Sequence, residues 1–408
     1  MANANLSGAY ETEQREIDPR VKEVLSHYAV SSMVSYTNSV ETGLINTTSF
    51  AVVPKRLFTQ KINERVFPNA EGLMDNIFRL TGHMRSRAEQ YGDPDRQVMR
   101  FLPNSGGGNY VKIQNGDDTE SWRVSVGIDG TKTINKIQTV EEAEQVGRGF
   151  GQFAGLAEGF PADSLFPVIP GFHDTDKRFY KLRETCEREQ ILEFHKEAID
   201  ELAGRALFQE RYKKIQDVYE EMQEHEDFTH IIVDMLESGE IPTCVIHADT
   251  KCNNVLVDEK TGEAVAAIDL DTVMKGARLY DIGDGLRTGC STGDEEDVDL
   301  RTSVSTDLFK GWVRGYLLGL KERGGRLTET EAKNIVNGYK MMTLEVGMRF
   351  ATDYLDGDNY FGGDYKTHPD LNLIRARAQF TYFKNIIAIQ DELNEIAMEV
   401  WRGIEAAE

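Results

Sequence analysis

The chain has 408 residues, enough for two domains or one large bilobal unit, and with 40% hydrophobic and 28% charged its balance suits a globular protein and excludes a disordered one. Its 46 Lys and Arg against 69 Asp and Glu give a formal net charge of −23, which repels phosphate backbones and anionic lipid, so neither nucleic acid nor a membrane surface is an expected partner. Cys186, Cys244, Cys252 and Cys290 show no C-x-x-C or Cys/His spacing, which argues against zinc and disulfides. The first thirty residues lack the basic flank and apolar run of a leader, and no stretch approaches the roughly 18 apolar residues of a span, so a cytoplasmic protein is expected.

The segment to about Pro19 is polar. Val21, Val24, Leu25 and Tyr28 then fall at helical spacing. Short β-rich runs follow at 43–53, 56–63, 109–114 and 121–128, separated by turn residues. Between them, Leu73, Met74, Ile77, Leu80 and Met84 share one helical face, with Pro68 suited to a first turn. A small sheet with one helix is therefore predicted for 26–127, interrupted by the flexible insertion LPNSGGGN. Beyond it, 139–157 and 185–238 are amphipathic. Thr328 with Glu331 forms a capping box ahead of a helix towards Leu355, and a last helix is expected over 371–404. One exception breaks the helical pattern: VLVDEKTGEAVAAID reads as a β-hairpin.

The polar chemistry gathers just before that hairpin, in VIHADTKCNNVL. Such residues often only cap and turn a chain. If strands 255–258 and 263–268 pair, however, Asn254 lies roughly opposite Ala267, and Asn254 and Asp269 emerge at the same mouth of the ribbon, with Asp249 on the loop leading in. Cross-strand neighbours are about 5–8 Å apart, so an amide oxygen and a carboxylate there could share one hard cation. An Asp-x-x-x-x-Asn loop followed by a second Asp is what kinase-type phosphoryl transfer needs: the first Asp takes the proton of the attacking hydroxyl, and the Asn and later Asp hold Mg2+ against the nucleotide phosphates. No GxxxxGK[ST] is present, which excludes a P-loop mechanism.

HADTKCNNVLVDEKTGEAVAAIDLDTVMKGARLYDIGDGLRTG resembles the catalytic segment of the aminoglycoside phosphotransferase and choline kinase superfamily, and more narrowly that of the N-acetylhexosamine 1-kinases. GLINTTSF, QKINERVFPNAEGLMDNI, SWR, IPGFHDTDKR and RFATDYLDGDNYF resemble that group in the same order, so the likeness covers nearly all the chain after about residue 25. The polar extension and an insertion at 86–109 depart from it.

The resemblance implies an α+β, bilobal, protein-kinase-like fold: an extension over 1–25, a nucleotide-binding lobe over 26–127 and a mostly helical catalytic lobe over 128–408. It implies ATP and Mg2+ as cofactors and a sugar as substrate, with Asp249 as base and Asn254 and Asp269 as metal ligands. By the same likeness Lys61 would meet the nucleotide phosphates with Glu71 holding it, and the turn at Asn46, Thr47 and Thr48 would cradle them. Arg349 and Tyr360 would contact the hexose, with Asp271 and Arg287 beside the substrate and His247 and Asp281 as structural support. Two alternatives stay open: an aminoglycoside or choline-like acceptor, and an inert kinase-like binding protein.

Overall fold

A computed structural model describes residues 19–30, 36–40, 47–52, 56–192, 199–297, 299–361 and 368–407. It begins with α1 (Pro19–Ser26), whose Val21, Val24 and Leu25, with Tyr28 beyond, are buried as their spacing predicts. These side chains pack on one face of an antiparallel sheet, against Leu57, Val111, Ile113, Trp122 and Val124. The sheet comprises β1 (Tyr36–Val40), β2 (Thr47–Val52), β3 (Arg56–Lys61), β4 (Arg100–Phe101), β5 (Val111–Asn115) and β6 (Asp118–Val126), in the order β1-β2-β3-β6-β4 with β5 also on β6. Of these, β1 and β4 were not foreseen.

The connection from β3 is α2 (Ala70–Ala88), which buries Leu73, Met74, Ile77, Leu80 and Met84, the predicted face. Asn69 rather than Pro68 opens it: the Asn69 side chain accepts from the Gly72 N–H at 2.9 Å, and Pro68 lies just outside. The insertion holds α3 (Pro94–Gln97), and its glycine-rich stretch is not loose. Asn104 Oδ1 accepts from the N–H groups of Gly106 and Gly108, at 2.8 and 3.0 Å, and its Nδ2 donates to the Tyr110 carbonyl.

The rest of the chain is β7 (Thr131–Thr133), α4 (Val140–Ala157), α5 (Thr175–Leu192), α6 (Ile199–Gln223), α7 (Glu226–Thr229), α8 (Ile231–Glu237), β8 (Cys244–Ile246), β9 (Val255–Asp258), β10 (Ala264–Ala267), β11 (Met274–Gly276), α9 (Arg278–Gly289), α10 (Thr306–Glu322), α11 (Glu329–Lys333), α12 (Ile335–Asp356), α13 (Leu371–Ala388) and α14 (Gln390–Ala406). The run expected over 185–238 is thus several helices, and the last helix breaks at Ile389, whose ψ of 18° leaves the helical region. The Thr328 and Glu331 capping box forms as read, but its helix pauses at Asn334 before α12. Together these elements make the α+β, kinase-like fold, a small sheet followed by a mostly helical part. No helix among the described residues is long and apolar enough to cross a membrane.

One packing contact sets the position of the loop 247–254 and strand β9. Helix α4 lies backbone to backbone on α10 because Gly147 and Gly151 face Gly315 and Gly319; a Cβ at Gly315 would collide with the Glu144 carbonyl oxygen, and one at Gly151 with that of Tyr316. Close approach lets the other side of α4 present Phe150 and Phe153 to His247 and Gly149 to Val255 of β9. Gly315→Ala is expected to cost about 1–3 kcal/mol, because two backbones would have to part. Denaturant unfolding measures it, and an unchanged midpoint would rule the contact out as a constraint.

Candidate active site

Two ribbons frame the site. β8 pairs with β11, and β9 with β10 and β7, so the loop 247–254 and the segment 268–273 run side by side between them. The hairpin register differs from the expected one: Ala267 opposes Val255, not Asn254, because a bulge at Val265 adds one residue to β10. Asn254 instead meets Ile268, whose N–H donates to its carbonyl at 2.8 Å. The slip keeps Asn254 and Asp269 at one mouth.

The loop is anchored from beneath by α9. Asp281 in its first turn accepts from the N–H groups of His247 and Ala248, both at 2.8 Å, and Asp284 accepts from Thr250 N–H at 3.0 Å. Ala248 has φ of 62°, a left-handed conformation costly for a residue with a Cβ, and this two-point clamp offsets the strain. Burial pushes the Asp281 pKa up, opposed by the nearby His247 ring and by the two donated hydrogen bonds. His247 braces the same loop. Its Nε2 donates to the Ile268 carbonyl at 2.8 Å, its carbonyl accepts from Thr272 Oγ1, and the Phe150 and Phe153 rings flank it at 5.4 and 5.3 Å.

Above this platform Asn254 Nδ2 donates to the Asp249 carbonyl and to Asp249 Oδ2, at 2.9 and 3.1 Å, while Asn253 points outward. Lys251, left unassigned by sequence reasoning, lies 2.9 Å from Asp249 Oδ1, and that carboxylate holds its pKa above the ordinary lysine range. Asp269 sits at φ 62°, open to the cleft. Surrounding protein, then the charges of Asp271 and Asp249, push its pKa up to about 6.

Among the described residues no cage of three or more His, Cys, Asp or Glu side chains forms. One amide oxygen and one carboxylate, completed by phosphate oxygens and water, nevertheless suit Mg2+, which takes few protein ligands. After burial, repulsion from Asp271 and Asp249 lifts the Asp269 pKa, and a cation would relieve that repulsion, so Asn254 and Asp269 fit one.

The residues expected to meet a nucleotide are arranged differently from the expectation. Lys61 donates to Glu120 Oε1 at 2.6 Å, whereas Glu71 lies exposed in the first turn of α2, so Glu120 is the lysine's partner and Glu71 is not. The cause is register: Lys61 ends β3 opposite Trp122, beside Glu120 on β6. Burial pushes the Glu120 carboxyl up, but hydrogen bonds from Lys61, Asn115 and Trp122 outweigh it and leave the pKa lowered. Thr47 and Thr48 pair across to Lys61 and Gln60 in the β2–β3 ladder. Their side chains, and Asn46, lie outside the described residues. Asp271 is only 3% exposed and forms a buried ion pair with Arg123 of β6, so it is tied to the sheet rather than open to a substrate. Nothing in SWR had marked Arg123.

Arg349 and Tyr360, the residues expected to contact an acceptor, do meet. The Arg349 guanidinium stands over the rings of Phe172, Tyr360 and Phe361 at 4.6, 5.6 and 5.3 Å, and Glu345 lies one turn back at 3.7 Å. Asp353 fixes the turn that carries Tyr360, accepting from the N–H groups of Tyr360 and Phe361 at 2.8 Å each. Arg287 is buried and bound to Asp284 and Glu295, at 2.9 and 3.1 Å, so it braces the loop anchor. His173 was missed: it touches both Glu345 and the Ala248 carbonyl, and its only sequence signal was its place in IPGFHDTDKR.

Comparison with solved structures finds this architecture in the microcompartment-associated aminopropanol kinase, 14% identical over 92% of this chain and 98% of that one, with a TM-score of 0.55. Choline kinase from Cryptosporidium parvum Iowa II is similar at 13% identity and a TM-score of 0.55, covering 94% and 98%. An amicoumacin kinase in complex with AMP-PNP and Ca2+ is similar at 12% identity and a TM-score of 0.50, covering 92% and 96%. Likeness at such identities establishes the fold. Residues 109–316, half of the chain and the part that contains Asp249, Asn254 and Asp269, match the profile described as the phosphotransferase enzyme family (APH), and to that family the chain belongs.

Proposed function

We propose that this phosphotransferase carries the γ-phosphoryl of ATP to the anomeric hydroxyl, O1, of an N-acetylhexosamine such as N-acetylglucosamine or N-acetylgalactosamine, giving the α-1-phosphate in the cytoplasm. The observation that carries the phosphotransfer reading is the Asp249 to Asn254 contact beside Asp269. Asp249, Asn254 and Asp269, the groups expected to act as base and to hold the cation, stand together, which counts against an inert binding protein. A divalent cation held by Asn254 and Asp269 would neutralise charge building on the phosphoryl group and the leaving diphosphate. The neighbour that holds AMP-PNP and Ca2+ supports a nucleotide and a divalent cation here.

Asp249 acts on the acceptor. Its Oδ2 is oriented by Asn254, and Oδ1 is within reach of an incoming hydroxyl once the Lys251 ammonium moves off it towards the phosphates. The sugar oxygen then bonds to the γ-phosphorus, the bond to the β–γ bridging oxygen breaks, and the hydroxyl proton passes to Asp249.

The acceptor class rests on the resemblance of RFATDYLDGDNYF and on charge. The neighbours named for aminopropanol and choline, and the net charge of −23, favour an ammonium-bearing acceptor. Locally, however, two guanidiniums stand near Tyr360: Arg349 lies over its ring, and burial first and then the charge of Arg349 lower the pKa of Arg178, opposed by Glu345, Tyr360 and Asp174. Two guanidiniums beside Tyr360 disfavour a cation and suit hydroxyl and acetamido oxygens.

Phosphorus NMR of the product from ATP, Mg2+ and mixed reducing hexoses tests this. A sugar 1-phosphate is expected, with no product from the methyl glycoside. Turnover of kanamycin or choline alone would sink the sugar reading.

A further inference from the structure

His173 is 6% exposed and lies in the connection into α5, yet both its ring nitrogens are engaged. Nε2 is 3.1 Å from the Ala248 carbonyl oxygen, and Nδ1 is 3.1 Å from each carboxylate oxygen of Glu345, which is fully buried in α12. A carbonyl oxygen carries no proton, so Nε2 must be the donor there. Nδ1 faces a carboxylate, so a second proton lies between it and Glu345. Both contacts hold either as an imidazolium beside a carboxylate or as a neutral ring that accepts at Nδ1 from a protonated Glu345, and the raised pKa of the ring favours the first. A neutral ring beside an ionised Glu345 must give up one of the two contacts.

The connectivity of this buried chain has a direction. Arg349, over the rings of Phe172, Tyr360 and Phe361, meets Glu345; Glu345 meets His173; and His173 holds the carbonyl of the residue just before Asp249. Ala248 is the strained point of the catalytic loop, held at its N–H by Asp281 and at its carbonyl by His173. We propose that His173, as an imidazolium, is a positioning residue that links the acceptor-side Arg349 to the catalytic loop and sets the direction of Asp249. This rests on Asp249 being the base and Arg349 lying at the acceptor.

The surroundings favour the charged ring. From α12 it faces Glu345 and Arg349, and from α9 Asp281, Asp284 and the Tyr280 ring. Burial lowers its pKa, but the charge and hydrogen bond of Glu345 outweigh burial and leave it raised. A raised histidine pKa means that this contribution is full below the usual value near 6.5 and is lost as pH rises through the higher folded value.

The test compares the full-length wild type with His173→Gln, Glu345→Gln and Arg349→Lys. His173→Gln is expected to lower kcat roughly 10- to 100-fold with little change in the KM of ATP or acceptor, because the base is misaimed rather than the substrate unbound. The alkaline limb of the wild-type kcat profile should vanish in this variant and move to lower pH in Glu345→Gln. Arg349→Lys should instead raise acceptor KM. Histidine NMR titration of the wild type and Glu345→Gln needs no acceptor: one imidazole should titrate above the ordinary range and fall towards it in the variant. Loss of thermal stability with kcat, pH profile and titration unchanged would overturn the proposal. Failure of the sugar panel alone would overturn only the acceptor assignment, since the profile can be recorded with whichever hydroxyl acceptor is turned over and the NMR result is independent of it.

Discussion

Asp249→Asn is expected to reduce turnover by about 10² to 10⁴, the usual worth of a positioned general base, while leaving ATP affinity and the unfolding midpoint close to wild type. The side chain is 19% exposed and belongs to no apolar cluster, so replacing one oxygen by an amide removes no packing. What changes is the charge. An amide accepts poorly from a hydroxyl, and one of its ends donates, so the proton released as the acceptor attacks has no destination. Lys251 loses its partner as well, and is free to meet phosphate permanently. Binding of ATP should therefore hold or tighten while kcat falls, the pattern of an interaction made in the transition state alone. Asp249→Ala should fall similarly, and single-turnover rates in both separate chemistry from product release. A near-normal rate in either would remove Asp249 from its assigned place and, with it, the reading of the whole loop.

The grouping of Asp249, Asn254 and Asp269 was legible in the sequence because its information is local. Asp249, Asn254 and Asp269 lie within 21 residues, on a loop and the hairpin that follows, and turn signals around Lys260 and Thr261 announce that hairpin. Helical faces such as Leu73 to Met84 were legible for the same reason: a 3.6-residue period is written along the chain. The one-residue slip at Val265 was not, because a bulge in a short alanine-rich strand leaves no mark in composition. Nor was β8 with β11, two three-residue strands 27 residues apart. Contacts between distant segments were the hardest to foresee. Glu120 takes Lys61 from 59 residues away, Arg123 takes Asp271 from 148, and His173 reaches Glu345 across 172. Its place on the helix that follows the Lys61 strand made Glu71 the natural candidate for the lysine's partner, but only strand register decides which carboxylate a strand lysine meets. Buried charge is chosen by three-dimensional proximity, and no spacing rule reaches that far.

Asp269→Asn is expected to weaken divalent-cation activation 10- to 100-fold or more and to lower kcat with it, since a hard cation would retain only the Asn254 oxygen as a strong protein ligand. The same variant should be at least as stable as wild type without metal at neutral pH. Asp269 stands near Asp249 and Asp271, and desolvation together with those two charges raises its pKa to about 6. For a carboxyl whose folded pKa lies above its unfolded value, stability is greatest while it is protonated and is lost as pH rises through about 6. The wild-type protein therefore carries an electrostatic strain at neutral pH that the amide lacks. A cation relieves that strain by taking the place of the proton, so Mg2+ should raise the wild-type Tm most above pH 6 or so and progressively less as pH falls through that value. In Asp269→Asn the metal-induced rise should be small at every pH. Thermal unfolding with and without Mg2+, between about pH 5 and pH 8, measures all of this. A wild-type rise that does not depend on pH, or a variant that retains it, would show that the cation is held elsewhere. The same strain would make the residue useful: a carboxylate crowded by two others, on a left-handed backbone at the open mouth of a ribbon, would be poor for the metal-free fold and well suited to a cation.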